Sequence, residues 1–151
     1  MITYSRTNSA HPGFLLLVEL LDKELAERYG SAQEFYSRFN TLQAIRHVVL
    51  VQDGEEAVAC GAIKIFEPGA MEVKRMYTLP AYRSKGIAAR VLQELEAWAA
   101  ELGCKRCVLE TGVHQPEAIR LYEKSGYSLI PNYGQYQNVS SSVCFQKQVL
   151  P

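Results

Sequence analysis

The sequence predicts an α/β (α+β) protein: a mixed, mainly antiparallel sheet flanked by helices. Three observations carry this. Short β-branched runs alternate with amphipathic stretches. Some runs are joined by tight Gly turns and others by helix-length segments, so hairpins and crossovers both occur. Pro and Gly punctuate nearly every boundary. The chain has 151 residues, which suits one domain, 1–151.

The elements follow in order. Ile2 to Tyr4 alternates as a first strand. Pro12 to Tyr29 is an amphipathic helix, with Gly30 as its stop. Ser31, Ala32, Gln33 and Glu34 have capping-box spacing and open a second helix through about Ile45. His47 to Val51 and Val58 to Phe66 are strands joined at Asp53-Gly54. Pro68-Gly69 turns the chain into a strand from Met71 to Leu79, closed by Pro80. From Gly86 to Leu102, Ala88, Val91, Leu92, Leu95, Trp98, Ala99 and Leu102 keep a helical period on one face, and Gly103 ends it. Cys107 to Thr111 is a strand, and Pro116 to Ser125 a helix with Gly126 beyond its end. Tyr127–Ile130 and Val143–Val149 complete the order β-α-α-β-β-β-α-β-α-β-β.

Charge narrows the function classes. The 16 basic and 16 acidic residues balance, but residues 1–72 carry −4 and residues 73–151 carry +4. Five cations and no acid fall within 73–93 (Lys74, Arg75, Arg83, Lys85, Arg90), which suggests an anionic ligand there. Nucleic acid is not favoured, since net charge is zero and no stacking aromatics interleave those cations. No run approaches the ~20 apolar residues of a membrane span, and nothing reads as a signal peptide, so a cytoplasmic protein without a membrane partner is expected. Cys104 and Cys107 are spaced C-x-x-C without a second ligand pair, so no metal is expected and the four cysteines read as small apolar filling.

The stretch YRSKGIAAR, Tyr82 to Arg90, joins the Pro80-ended strand to the long helix. A helix start exposes unpaired N–H groups and partial positive charge, and small residues let an anion approach the backbone. The spacing is neither a Walker loop nor a dinucleotide fingerprint. It is R-x-x-G-x-A, Arg83 to Ala88. With Ala118, Tyr122, Gly126 and Tyr127, which match A-x-x-x-Y-x-x-x-G-[FY], this pattern resembles the GCN5-related N-acetyltransferases (GNAT superfamily), small bacterial type. Their element order matches along nearly the whole chain.

That resemblance implies an acetyl-CoA-dependent N-acetyltransferase. Met76, Tyr77 and Thr78 would bind the pantetheine arm through their backbone. Arg83, Ser84, Lys85, Gly86, Ile87 and Ala88 would hold the pyrophosphate. Tyr122 would sit near the sulfur and protonate the leaving thiolate. Gln115 stands where many members have Asn, which leaves that coenzyme contact open. Glu72 resembles the glutamate base of histone-acetylating members, with Glu110 as its rival. Both lie on apolar strands, where a carboxylate titrates higher than usual. The alternative for Glu72 is an ion pair with Lys74, and for Tyr122 a place in the core. His114 is a further option in a loop.

The first two helices would cover the acceptor side, where Glu19, Asp22, Glu24 and Glu27 could attract a cationic amine. Tyr29, Tyr133 and Tyr136 are proposed pocket walls. The expected acceptor is a small molecule with a primary amine, attacking directly in a ternary complex. A protein or peptide amine, or an acyl-CoA-sensing module without turnover, is the alternative. A homodimer is compatible with the resemblance, since dimers are common in the family.

Overall fold

The computed structural model describes residues 1–30 and 45–150. The expected second helix, from Ser31 to about Ile45, lies outside the described residues apart from its last position. Among the described residues, seven strands form one sheet in the order β1-β2-β3-β4-β5-β7-β6. They are β1 (Ile2–Thr7), β2 (His47–Asp53), β3 (Glu56–Glu67), β4 (Ala70–Thr78), β5 (Arg106–Gly112), β6 (Ser128–Ile130) and β7 (Ser142–Gln148). All neighbours are antiparallel except β4 and β5, so the sheet is mixed and mainly antiparallel, as expected. β1 runs three residues past the predicted end because Ser5 to Thr7 find partners at Leu50 to Val48. Such pairing is a tertiary event that local alternation does not reveal.

The helices divide between the faces. α1 (Pro12–Tyr29) starts with Pro12 at its first turn, and His11 caps it by accepting from the Gly13 amide at 2.9 Å. It buries Phe14, Leu17, Val18 and Leu21, the spacing of one helical face, against Val48, Leu50, Cys60 and Ala62. α2 (Ile87–Glu101) buries Val91, Leu92, Leu95 and Ala99 on the opposite face, joined there by Tyr122 from α3 (Pro116–Lys124). Each fully buried Val, Leu or Ile contributes about 1.5–3 kcal/mol. α2 lies close to the sheet at Gly61, where an added Cβ would come within 2.5 Å of Met76 Sδ and 2.8 Å of Val91 Cγ1. The four cysteines are free thiols, three of them buried. No helix among the described residues is long and apolar enough to cross a membrane.

Candidate active site

The site originates in a split in the sheet. β4 and β5 pair only at Ala70–Arg106, Met71–Cys107 and Glu72–Val108. Beyond these, Val73–Thr78 and Leu109–Gly112 have no partner in each other. Across β4, the register with β3 jumps from Ala62–Lys74 to Cys60–Tyr77, so Arg75 and Met76 bulge opposite Gly61. Arg75 takes a left-handed conformation (φ 59°), which a bulky side chain adopts only when its surroundings impose it. The Cys60 thiol donates to its carbonyl at 3.3 Å. The split and the bulge together leave a length of β4 backbone available to a ligand.

A groove of about 430 Å³ runs from this opening past the helix start. One wall is Met76, Tyr77 and Thr78. The floor is the turn from Arg83 to Ala88, and the far wall is the α3 face with Ala118, Leu121 and Tyr122. Ser84 and Gly86 both have positive φ (63° and 81°), which turns the chain sharply into α2. Among the described residues beyond its chain neighbours, a Cβ at Gly86 would meet nothing within 4 Å, so this helix start is open to them. Unpaired amides, small residues and an open helix N-terminus suit a diphosphate.

A smaller cavity of about 90 Å³ opens on the α1 face, walled by Leu21, Leu25, Tyr29, Lys74, Arg75, Glu110 and Thr111. Groove and cavity share Leu21, Met76, Gln115 and Tyr122, so they meet at Tyr122. The Tyr122 ring is buried, edge-on to Tyr127 at 5.9 Å and tilted against Phe145 at 6.3 Å. Burial first, and the nearby Glu110 carboxylate second, push its phenol above the usual tyrosine range. The hydroxyl therefore keeps its proton at neutral pH.

The two candidate bases occupy different settings. Glu110 lies on the cavity wall, and its Oε2 is enclosed without a hydrogen-bond partner among the described residues. Burial pushes its carboxyl up to about 7, opposed by a hydrogen bond from Ser142 and by the Lys74 charge. Glu72 is buried off the cavity wall. Tyr133 Oη donates to its Oε2 at 2.6 Å, and Lys74 Nζ lies 3.8 Å from its Oε1. The Lys74 pairing set against it in the sequence is thus present. Tyr133 and Tyr136 do not wall the cavity. They stack edge-to-face at 5.8 Å and cover the Glu72–Lys74 pair, with Tyr136 Oη 3.4 Å from Lys74 Nζ.

The acidic residues of α1 are also mostly engaged. Asp22 pairs with Arg75 at 2.6 Å. Glu24 pairs with Arg83 at 2.9 Å and lies 3.7 Å from Arg28, which reaches Glu117 on α3 at 2.5 Å. This ionic chain spans the groove from the Arg83 turn to α3. Arg83 is further fixed by donating Nε to the Thr78 carbonyl at 2.8 Å. Glu19 and Glu27 remain exposed on the solvent side. His114 lies in the loop before α3, edge-on to Tyr29 at 5.2 Å.

Tyr29, one of the expected pocket walls, does line the cavity, whereas Gly112 carried no strong sequence signal. Tyr29 reaches from the end of α1 across the cavity, and its hydroxyl lies 1.3 Å from where a Cβ on Gly112 would be. Gly112 is therefore required for Tyr29 to occupy that place. Gln115 Nε2 donates to the same hydroxyl at 3.3 Å. Lys74, read from sequence as one of five clustered cations and as a partner for Glu72, also stands on the cavity wall.

Comparison with known proteins agrees with this geometry. Residues 14–127 match the family described as the Acetyltransferase (GNAT) family. The chain is 35% identical over 138 residues to an IAA acetyltransferase of Azospirillum brasilense, covering 89% of this chain and 90% of that protein. A Klebsiella pneumoniae crystal structure assigned as an acyl-CoA N-acyltransferase superposes with a TM-score of 0.82 at 31% identity over 99% of both chains. PaiA N-acetyltransferase of Thermoplasma acidophilum, solved with coenzyme A, shares the fold at a TM-score of 0.73 and 17% identity, covering 98% of this chain and 99% of that one. With one motif at the start of α2 and the other along α3, both lining the groove, and with the match over residues 14–127, the chain belongs to the GNAT family of acetyltransferases.

Proposed function

We propose that the protein transfers the acetyl group of acetyl-CoA to the primary amine of a small molecule, by direct attack with both substrates bound. The observation that carries this is the meeting of a diphosphate-suited groove and a small carboxylate-walled cavity at one tyrosine. The residues fit the coenzyme: an open helix start for the diphosphate, and unpaired β4 backbone for an amide-bearing arm.

Acetyl-CoA supplies an acetyl group activated as a thioester. Met76, Tyr77 and Thr78 hold the arm through backbone amides and carbonyls, and Arg83 to Ala88 hold the diphosphate. Backbone N–H groups freed by the bulge at Arg75 and Met76 stabilise negative charge developing on the acetyl oxygen. Glu110 takes the proton that the amine nitrogen gives up as its bond to the acetyl carbon forms. As the carbon–sulfur bond breaks, the Tyr122 hydroxyl gives its proton to the departing sulfur. Glu110 takes the base role over Glu72 because it borders the cavity, whereas Glu72 is capped by Tyr133 and Lys74. A module that only senses acyl-CoA would have no use for a carboxylate-walled cavity beside Tyr122.

A cavity of about 90 Å³ suits the end of a small amine. The test is thiol release from acetyl-CoA with free amino acids, polyamines, aminoglycosides and aromatic amines, beside short peptides. Release with at least one small amine is expected. Release with peptides alone would assign the acceptor to proteins, and binding of acetyl-CoA without release from any amine would favour the sensing module.

A further inference from the structure

Beside the cavity lies a pair of opposite charges that the steps above leave without a role. The β4–β5 register places Glu72 against Val108, so alternation brings Lys74 and Glu110, two residues on, to the same sheet face on adjoining strands. Lys74 and Glu110 border one cavity, and Glu72 lies one step farther back. The pair is fixed at both ends. Tyr136 Oη lies 3.4 Å from Lys74 Nζ, and Tyr133 Oη donates to Glu72 Oε2 at 2.6 Å. The tyrosines pack on each other and Tyr133 on Phe66, so neither end of the pair can swing freely.

We propose that Lys74 and Glu72 are positioning residues for the transfer: a fixed pair of opposed charges that sets the pH range in which Glu110 accepts the amine proton. This rests on the assignment of Glu110 as the base. Other groups around Glu110 are less able to do so. Ser142 and Cys144 on β7 are neutral, as are Tyr122 on α3, Tyr29 on α1 and Tyr136 in the loop before β7. Arg75, also on the cavity wall, is matched by Asp22 of α1 at 2.6 Å. Lys74 and Glu72 act on Glu110 in opposite senses, the cation favouring its ionised form and the anion opposing it. Burial draws the Lys74 ammonium below the usual lysine range, and the carboxylates of both Glu72 and Glu110 oppose that, so Glu110 still supports the cation when Glu72 is neutralised. Lys74 is the nearer end, so its influence exceeds that of Glu72.

Removing one end exposes the other. Lys74→Met leaves an uncompensated anion near Glu110, and the rise of kcat/KM with pH moves to higher pH. Glu72→Gln leaves an uncompensated cation, and the rise moves to lower pH. Each displacement is about one pH unit for a neighbouring charge in a partly buried site. Lys74→Arg keeps the charge and stays close to wild type. Damage to packing would not move the two profiles in opposite directions.

The experiment measures kcat/KM for thiol release across the neutral range, on the full chain, with one amine throughout so that its own ionisation is common to every profile. Opposite displacements for Lys74→Met and Glu72→Gln, with Lys74→Arg near wild type, are expected. Unmoved profiles, or displacement of both in one direction, overturn the proposal. Glu110→Gln separates this outcome from failure of the base assignment. A Glu110→Gln enzyme that keeps the wild-type rise removes Glu110 as base. Loss of the rise in Glu110→Gln with unmoved profiles in the other two removes only the role of the pair. If Lys74→Met does not fold, Lys74→Gln, which keeps a polar end beside Tyr136, serves in its place.

Discussion

Gly86 offers the sharpest test of where the coenzyme lies. Its backbone is left-handed (φ 81°), and a Cβ there would meet nothing within 4 Å among the described residues beyond its chain neighbours. A side chain at this position therefore enters open groove, and the fold imposes only the backbone cost. Asn and Asp enter the left-handed region more readily than other side chains, and they are nearly the same shape. Gly86→Asn and Gly86→Asp thus differ almost purely in charge. At about 6 Å and an effective dielectric near 20, two like charges repel by ~3 kcal/mol. The position is exposed, so roughly half of that survives screening, about tenfold in affinity. Calorimetric titration with coenzyme A should give a Kd for Gly86→Asp about tenfold above that of Gly86→Asn, and the gap should narrow with added salt. Both variants should melt within a few degrees of each other. Equal affinities for the two, with both folded, would show that the diphosphate does not sit at Arg83–Ala88.

Three further outcomes follow from the site. Tyr122→Phe should keep coenzyme affinity and lower kcat by ~10²-fold, since the proton is needed only as the sulfur departs, and an unchanged kcat with chemistry rate-limiting would reduce Tyr122 to packing. Gly112→Ala should displace Tyr29, cost about 1–3 kcal/mol in denaturant unfolding and raise KM for the amine with coenzyme affinity unchanged; adding Tyr29→Leu should recover the stability, and an unaffected KM would remove Tyr29 from the acceptor wall. Glu24→Gln should tighten coenzyme A binding several-fold by freeing Arg83 and removing an anion from the groove, and leave acetyl-pantetheine, which lacks the diphosphate, unaffected; weaker binding would mean that Glu24 holds Arg83 in place for the coenzyme.

What could be read from the sequence was local. The α2 face from Val91 to Ala99 repeats within a few residues, and the open helix start at Gly86 depends only on the turn before it. The choice between Glu110 and Glu72 was not local. Both face the same way by alternation, and only the point where β4 and β5 part, after Glu72 and Val108, puts one at the cavity and leaves the other behind it. Charge pairing was similarly hidden. The acids of α1 looked free to attract an amine, yet Asp22 and Glu24 meet Arg75 and Arg83, partners 53 and 59 residues away. Tyr133 and Tyr136 have the composition of a pocket wall, but the loop carries them over Lys74 and Glu72 instead. The place Gly112 leaves for Tyr29 joins the end of the first helix to the end of the fifth strand, and a lone Gly ending a strand signals only close approach by something.

The placement of Glu110 has a cost that can be measured apart from catalysis. Burial raises its carboxyl from 4.5 to about 7. An acid raised on folding binds more protons in the folded chain than in the unfolded one between those two values, so stability falls as pH rises through that window. Some 2.5 pH units at 1.36 kcal/mol each set an upper limit of ~3 kcal/mol. Residual contact with solvent at the cavity wall reduces this to ~2 kcal/mol. Glu110→Gln carries no ionisation, so its stability relative to wild type should improve by ~2 kcal/mol between about pH 4.5 and pH 8, and any fixed cost of fitting the amide is the same at both. Denaturant unfolding of the two proteins at both pH values measures that change. A difference that does not vary with pH would mean that Glu110 titrates as an ordinary carboxylate, ionised well below neutral pH and too weak a base for the role. A difference that grows through the window, in a variant that has lost activity, would show that the chain gives up stability at this position to hold a base near neutrality.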